Sequence, residues 1–318
     1  MYHWTMSSRF TLDNPMPPPW LRYPQIPMGS IGWRMGTGED YAHEFGRWLA
    51  ALDTDERWRY RGWFPPPPMD RGYYDWAFGA DYDEDFVLGN EHWSVQFWQR
   101  GGTPAYSRAR LATAAEDSGA CEAEFVFFWK PKAGETGPAC LGQWQPTAFD
   151  AFDHYSCTEQ YMMAEKARLF GDDDVFAQIM ATGDPKTMKA LGRKVRGFDA
   201  ALWDRAKYSI VLNGNYYKFT QNPQLRDYLL STTGKVLVEA SPMDRVWGIG
   251  IGATNPDATN PERWRGHNLL GFALMEVRDA ITRVYANADR VDWSQFPPLK
   301  ESRLNRPAPH KKGATDAR

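Results

Sequence analysis

Cysteine is scarce: Cys121, Cys140 and Cys157 are the three thiols in 318 residues, odd in number and without CxxC spacing. That excludes a disulfide scaffold and points to reduced thiols in an intracellular protein, cytoplasmic or nuclear. No uninterrupted apolar run approaches a membrane span, and the opening MYHWTMSSRF has no apolar stretch of the secretory kind. No membrane partner is therefore expected. The six histidines are scattered, with no metal-ligand spacing to another His, Cys or carboxylate, so neither a metal nor another cofactor is expected. Positive charge is not in excess: the formal net charge is −3, which leaves any nucleic-acid contact to a local basic patch. What the chain has in abundance is aromatic residues, with 15 tryptophans. Aromatics supply core, and they also stack on bases and adenine rings.

The organisation reads as mainly α, an α+β chain with a few short strands. It comprises one multihelical domain and an N-terminal extension. Residues 1–30, rich in Pro and Met, are expected as a flexible tail, and residues 31–115 as an aromatic and acidic extension of unassigned role, either a separate domain or an embellishment. Within it, GEDYAHEFGRWLAALDTDERWRYRGWF from Gly38 reads as one helix, and HWSVQFWQ as a strand. Residues 109–120 look like a surface connection. The catalytic domain is expected over 122–288, and 289–318 as a largely disordered tail.

Inside 122–288 the pattern gives strands at EAEFVFFWK and KVLVEA. Helices follow Asp184-Pro185, where an N-cap precedes a proline at the first helical position, and Asn222-Pro223. Long helices are expected at AALWDRAKYSIVLNGNYYKFTQ and LLGFALMEVRDAITRVYA. GIGIGAT (248–254) lacks GxGxxG spacing and a preceding βαβ unit, so a tight turn near a ligand is favoured over a dinucleotide site.

The stretch CTEQYMMAEKARLFGD (157–172) is the most unusual. At about 100° per residue, Glu159 and Lys166 share an arc with Met162, Met163, Ala167, Leu169 and Phe170, opposite Gln160, Tyr161, Glu165 and Arg168. A charge among apolar neighbours is costly unless paired or used, and two turns, roughly 10 Å, separate these two. Glu159 either caps its helix or carries chemistry.

Five ordered blocks, CTEQYMMAEKARLFGD, DPKTMKALGRKVRGFD, GNYYKFTQNPQLRDYLL, VLVEASPMDRVWGIGIG and NPERWRGHNLLGFALMEVR, resemble the signatures of the NADAR (YbiA-like) family. The resemblance covers about residues 122–288 and does not reach 1–115. It implies a mostly helical domain that recognises ADP-ribose or related ribosyl phosphates and hydrolyses N-glycosidic bonds. The substrates implied are ADP-ribosylated guanine, on DNA or as nucleotide, or ribosylamino intermediates of riboflavin synthesis; a non-catalytic ADP-ribose-binding module is the remaining reading. Glu159 matches the family's key Glu in Thr158-Glu159-Gln160, and its apolar setting should raise its pKa toward the range of a general acid or base.

Lys130, where the family often has a lysine, is either a Schiff-base nucleophile desolvated beside aromatics or a strand-end lysine in solvent. Asp244 and Trp247 match the family's Asp and Trp, as a ribose or water ligand and a pocket wall. Gly248 follows in the same block. Arg245, Lys166 and Lys218 are candidates for a diphosphate or plain surface charges. Asn268 caps the last helix or bonds the ligand. Gln160 and Tyr161, beside Glu159, are further substrate-binding candidates. Leu141-Gly142-Gln143-Trp144-Gln145-Pro146 replaces a Ser-Asn-Phe-like turn, putting Gln143 and Trp144 at the site with one extra methylene.

Overall fold

A computed structural model of the chain describes residues 9–70, 72–78, 104–111, 124–132 and 136–297. The strand expected at HWSVQFWQ, most of the 109–120 connection and the tail from 298 lie outside these residues.

In chain order the described helices are α1 (Pro19–Arg22), α2 (Thr37–Ala51), α3 (Thr54–Trp63), α4 (Tyr73–Ala77), α5 (Thr158–Leu169), α6 (Asp173–Met180), α7 (Pro185–Gly192), α8 (Ala200–Gln221), α9 (Pro223–Ser231) and α10 (Leu269–Tyr285). The strands are β1 (Phe125–Phe128), β2 (Phe149–Asp150), β3 (His154–Tyr155) and β4 (Val236–Glu239). The expected mainly α class is what the structure shows, with β1 and β4 forming a parallel pair and β2 and β3 a minimal antiparallel one.

The expected helix starts have local causes. Asp184 accepts hydrogen bonds from the backbone N–H of Lys186 and Thr187, with Pro185 behind it. Asp199 accepts from Leu202 N–H to start α8, which is buried over most of its second half because it threads the core. Helix α5 packs against α6, α7 and α8, and α10 lies across β4 and α8. Gly271 permits that close approach: a Cβ there would lie 2.1 Å from the Leu237 carbonyl oxygen.

Asn268 supplies the other tie between α10 and β4. Its side chain makes no cap; the amide accepts from Glu239 N–H at 3.0 Å and donates to the Leu237 carbonyl at 2.9 Å. The residue is fully buried and left-handed, at φ 55°. Both roles expected for Asn268, helix cap and ligand contact, give way to this strand contact. Asn268→Gly retains access to the left-handed backbone but deletes the amide. It is expected to lower unfolding free energy by about 1–3 kcal/mol, because a buried N–H and C=O lose their partners. Urea denaturation measures this, and an unchanged midpoint would refute the role.

Two sequence expectations need correction in the N-terminal part. The helix from Gly38 is two helices, because Asp53 and Glu56 build a capping box at Leu52-Asp53: Glu56 N–H donates to Asp53 Oδ1 at 2.8 Å and Asp53 N–H to Glu56 Oε2 at 3.0 Å. The segment expected as a tail up to residue 30 contributes Phe10, Leu12, Met16, Trp20 and Leu21 to a second apolar core. In it, Tyr60 and Tyr74 are fully buried, their hydroxyls donating to the Met16 and Phe64 carbonyls.

This core includes Val284 at the end of α10 and, beyond it, Val291, with Phe296 packed against it. Asn287 donates to the Trp63 carbonyl and Arg22 to the Pro297 carbonyl. The described part of the extension is therefore an embellishment sharing apolar surface with α10, and residues 289–297 are part of it. Many of the surplus aromatics serve here as core rather than as stacking surfaces.

Candidate active site

Glu159 stands in the first turn of α5, where Cys157 offers no side-chain cap. The loop before the helix caps it instead: the Gln143 carbonyl accepts from Glu159 N–H at 3.1 Å and from Thr158 Oγ1 at 3.2 Å. The carboxyl group is 97% inaccessible by residue surface (3% exposed), and its Oε1 has no hydrogen-bond partner among the described residues. Burial pushes its pKa up to about 7; Lys189, a hydrogen bond from Trp144 and the charge of Arg193 act the other way, while Asp244 adds to the rise. The helix N-terminus favours the anion, but burial outweighs it.

A second carboxyl group lies within electrostatic reach of Glu159. Glu239 ends β4, opposite Phe128 in the parallel register with β1. Its backbone is fixed by Asn268 and by Ile249 N–H on its carbonyl. Its Oε2 is buried and has no partner among the described residues. Burial raises its pKa to about 8; Asp244 and Glu159 add to the rise and Lys189 opposes it. Asp244 lies in the loop after β4, its Oδ1 accepting from Val246 N–H at 2.9 Å and Trp247 N–H at 2.8 Å. Its Oδ2 is 3.7 Å from the Lys189 ammonium of α7.

Three carboxyl groups, at the start of α5, the end of β4 and in the following loop, thus lie within electrostatic reach of one another, with Lys189 as nearby cation. Among the described residues no group of His, Cys, Asp and Glu is arranged to hold a metal ion. Such an acidic, partly desolvated space favours developing positive charge and can hold or accept protons near neutrality.

The sequence candidates divide on this geometry. Glu159, Trp144 and Asp244 are brought together. Arg245 is exposed and adjoins Gly250, which turns with φ +69°, as expected of the GIGIG stretch. Trp247 is half-buried against the main core, and Gly248 is buried, a Cβ there lying 2.8 Å from the Glu239 carbonyl oxygen. Lys130 is exposed beyond the end of β1, with its ammonium 4.7 Å from the Trp129 ring centroid. The aromatic neighbour is present, but the desolvation that the Schiff-base reading invoked is not supplied by the fold.

Five candidates are turned into the protein. Gln143 is buried, its amide donating to Met162 Sδ at 3.6 Å and accepting from Asn215 at 3.2 Å. Gln160 accepts from Ser156 and donates to the Ile179 and Thr182 carbonyls, each at 3.1 Å, locking α5 to the end of α6. Tyr161, 5% exposed, packs edge-on to Tyr155 and against Gly214.

Lys218 has no exposed surface, and its ammonium donates to the Cys140 and Gly142 carbonyls. Lys166 donates to the Gly192 carbonyl at 2.8 Å, its ammonium over Phe198 and Trp203. Lys166 and Glu159 do occupy separate surroundings, but the lysine's hydrogen bond and its aromatic neighbours are the protein's own. The arc that carried Gln160 and Tyr161 is buried too, because α5 is packed on several sides over its first two turns.

Glu239 and Lys189 escaped the sequence reading. Glu239 carried the same signal as Glu159: an acidic residue closing a buried Val-Leu-Val run. Lys189, on the α7 surface, carried none.

Comparison with known proteins bears on the same stretch. Residues 127–282 match the NADAR domain. A protein of Acanthamoeba polyphaga mimivirus named an N-glycosidase is 43% identical over 162 residues, 49% of this chain and 95% of that protein. An N-glycosidase of Nostoc punctiforme is 30% identical over 158 residues, 49% of this chain and 90% of its own length. The maize chloroplast protein named riboflavin biosynthesis protein PYRR is 33% identical over 112 residues, 34% of this chain and 16% of its own. The family match over residues 127–282 and a relative matched over nearly its whole length decide the assignment: the chain belongs to the NADAR family.

Proposed function

We propose that the protein is an N-glycoside hydrolase acting on a ribosyl C1–N bond, most specifically removing ADP-ribose from guanine in DNA or nucleotide. The observation that carries the reading is Glu159, a buried carboxyl group with an unpartnered oxygen and a pKa near 7, set beside Asp244. Cleaving such a bond passes through an oxocarbenium-like state, which a carboxylate stabilises while it accepts a proton from attacking water. Asp244 holds its loop through two backbone N–H groups, and its second oxygen faces Lys189, so it sets the field around Glu159 as well as offering an acceptor to ribose hydroxyls. Exposed Arg245 and Arg193 remain as cations for a diphosphate, in place of the inward-turned Lys218 and Lys166. The relatives named N-glycosidases support the reaction class.

The likeness to the maize riboflavin protein favours a second reading, an N-glycosidase of ribosylamino 5′-phosphates. The test sets both substrates side by side with purified protein and follows product release by chromatography. Release of ADP-ribose from ADP-ribosylated guanosine, inhibited by free ADP-ribose but not by ribose 5-phosphate, is expected. Cleavage of only the 5′-phosphoribosyl substrate would transfer the assignment to the second reading. Tight ADP-ribose binding with no cleavage of either at any pH would make the protein a binding module.

A further inference from the structure

Glu239 lies within electrostatic reach of Glu159 and has no part in the chemistry above. Its position is unusually constrained: its N–H is held by Asn268, its carbonyl by Ile249, and Gly248 closes over that carbonyl with no room for a Cβ. All of this fixes the backbone, while the side-chain Oε2 is buried with no partner among the described residues. A buried carboxyl oxygen without a partner is costly, and such groups persist where a ligand or a proton transfer uses them. The strand register adds direction. Glu239 pairs with Phe128 at the carboxyl ends of the two parallel strands and is the last strand residue before the loop that carries Asp244.

We propose that Glu239 is the general acid of the reaction, protonating the nitrogen of the departing base while Glu159 takes the proton of the attacking water. The assignment rests on the N-glycoside hydrolase reading. In the step, the C1–N electron pair leaves with the nitrogen and the Glu239 proton is transferred to that nitrogen. The water oxygen bonds C1 and its proton passes to Glu159. The products are the free sugar hydroxyl and the neutral base, and exchange with solvent returns both carboxyl groups to their starting states.

The surroundings divide the labour in this direction. Three charged or titratable groups face Glu239: Glu159 from α5 and Asp244 from the loop raise its proton affinity, and Lys189 from α7 lowers it. Glu159 stands in the first turn of α5, where the helix N-terminus favours its anion, whereas nothing among the described residues donates to Glu239 Oε2. Near neutrality Glu239 therefore holds its proton more firmly; burial raises both, Glu159 to about 7 and Glu239 to about 8. Two carboxyl groups at one reacting centre with separated proton affinities are the usual basis for assigning acid and base.

Glu239→Gln tests the role, with kcat and KM for ADP-ribosylated guanosine measured from pH 5 to 10. The wild type should show a bell: activity rises as Glu159 ionises through about 7 and falls as Glu239 loses its proton through about 8. The variant should lose about 10²–10⁴-fold in kcat with KM nearly unchanged. A variant within severalfold of the wild type in kcat overturns the assignment while leaving the hydrolase reading intact. A wild type inactive on every ribosyl N-glycoside overturns both. If the variant does not fold, the wild-type profile decides: a fall above about pH 8 supports Glu239, and a rate flat to pH 10 overturns it.

Discussion

Glu159→Gln is expected to bind ADP-ribose with wild-type affinity and to lose about 10²–10⁴-fold in turnover, the range a positioned acid–base group supplies. Glutamine has nearly the same shape and keeps the Trp144 and α5 packing, but it neither accepts a proton from water nor carries the charge that steadies an oxocarbenium ion. The same substitution should stabilise the fold, and its sign follows from the raised pKa. In the unfolded chain the carboxyl group ionises near 4.5, and in the folded chain near 7.

Between those values the unfolded state sheds a proton that the native state keeps, so the wild type loses stability as pH rises and then levels off. The glutamine variant has no such loss. Its advantage should grow from pH 4.5 to 7, to at most about 3.5 kcal/mol, at ~1.4 kcal/mol per pKa unit. Calorimetry at pH 5 and pH 8 with parallel turnover assays checks both halves. A variant of full activity removes Glu159 from the chemistry. A variant with no pH-dependent gain removes the claim that its burial is strained.

The second large effect is expected at Lys218. Its ammonium donates to the Cys140 carbonyl at 2.6 Å and to the Gly142 carbonyl at 3.1 Å, with no exposed surface. Burial depresses its pKa to about 8, yet the two carbonyls hold it. Those carbonyls belong to the turn that leads into Gln143 and Trp144, so the lysine fixes the residues that cap α5 and touch Glu159. Lys218→Met preserves volume and removes the charge, but strands the Cys140 carbonyl and leaves the Gly142 carbonyl with only the longer bond from Gln145 N–H. We expect a loss of about 3 kcal/mol in urea unfolding, since removing one partner of a buried charged contact costs roughly 3–5 kcal/mol and the vanished desolvation penalty returns part of it. Turnover should also fall as Trp144 loses its placement. A stability change below about 0.5 kcal/mol, the range of ordinary surface substitutions, would show that the turn is held by other contacts.

What the amino-acid order fixed by itself was local. Asp184-Pro185 starts a helix because the cap and the preset proline φ act within a few residues, and Asn222-Pro223 does so through the proline, its asparagine side chain making no cap. The Phe125–Phe128 and Val236–Glu239 strands, α8 and α10 were legible from apolar runs and stripes. Glu159 stood out because a charge in an apolar pattern is an energetic anomaly visible without coordinates. The capping box at Asp53 was also written in the order D-x-x-E, but the longer helical periodicity masked it.

Tertiary structure decided which polar side chains were free. Gln143, Gln160, Lys218 and Asn268 carried the types expected of ligand contacts, yet each satisfies backbone or side-chain groups distant in sequence, because buried hydrogen-bonding groups require partners that only packing can supply. Glu239 and Lys189 come within electrostatic reach of Glu159 only in the folded chain, the lysine on α7 packed against α5 and the glutamate at the end of β4. Sequence marked one carboxyl group as out of place; the fold adds a second buried carboxyl group and a nearby cation, and burial, first of all, raises the proton affinity of both carboxyl groups.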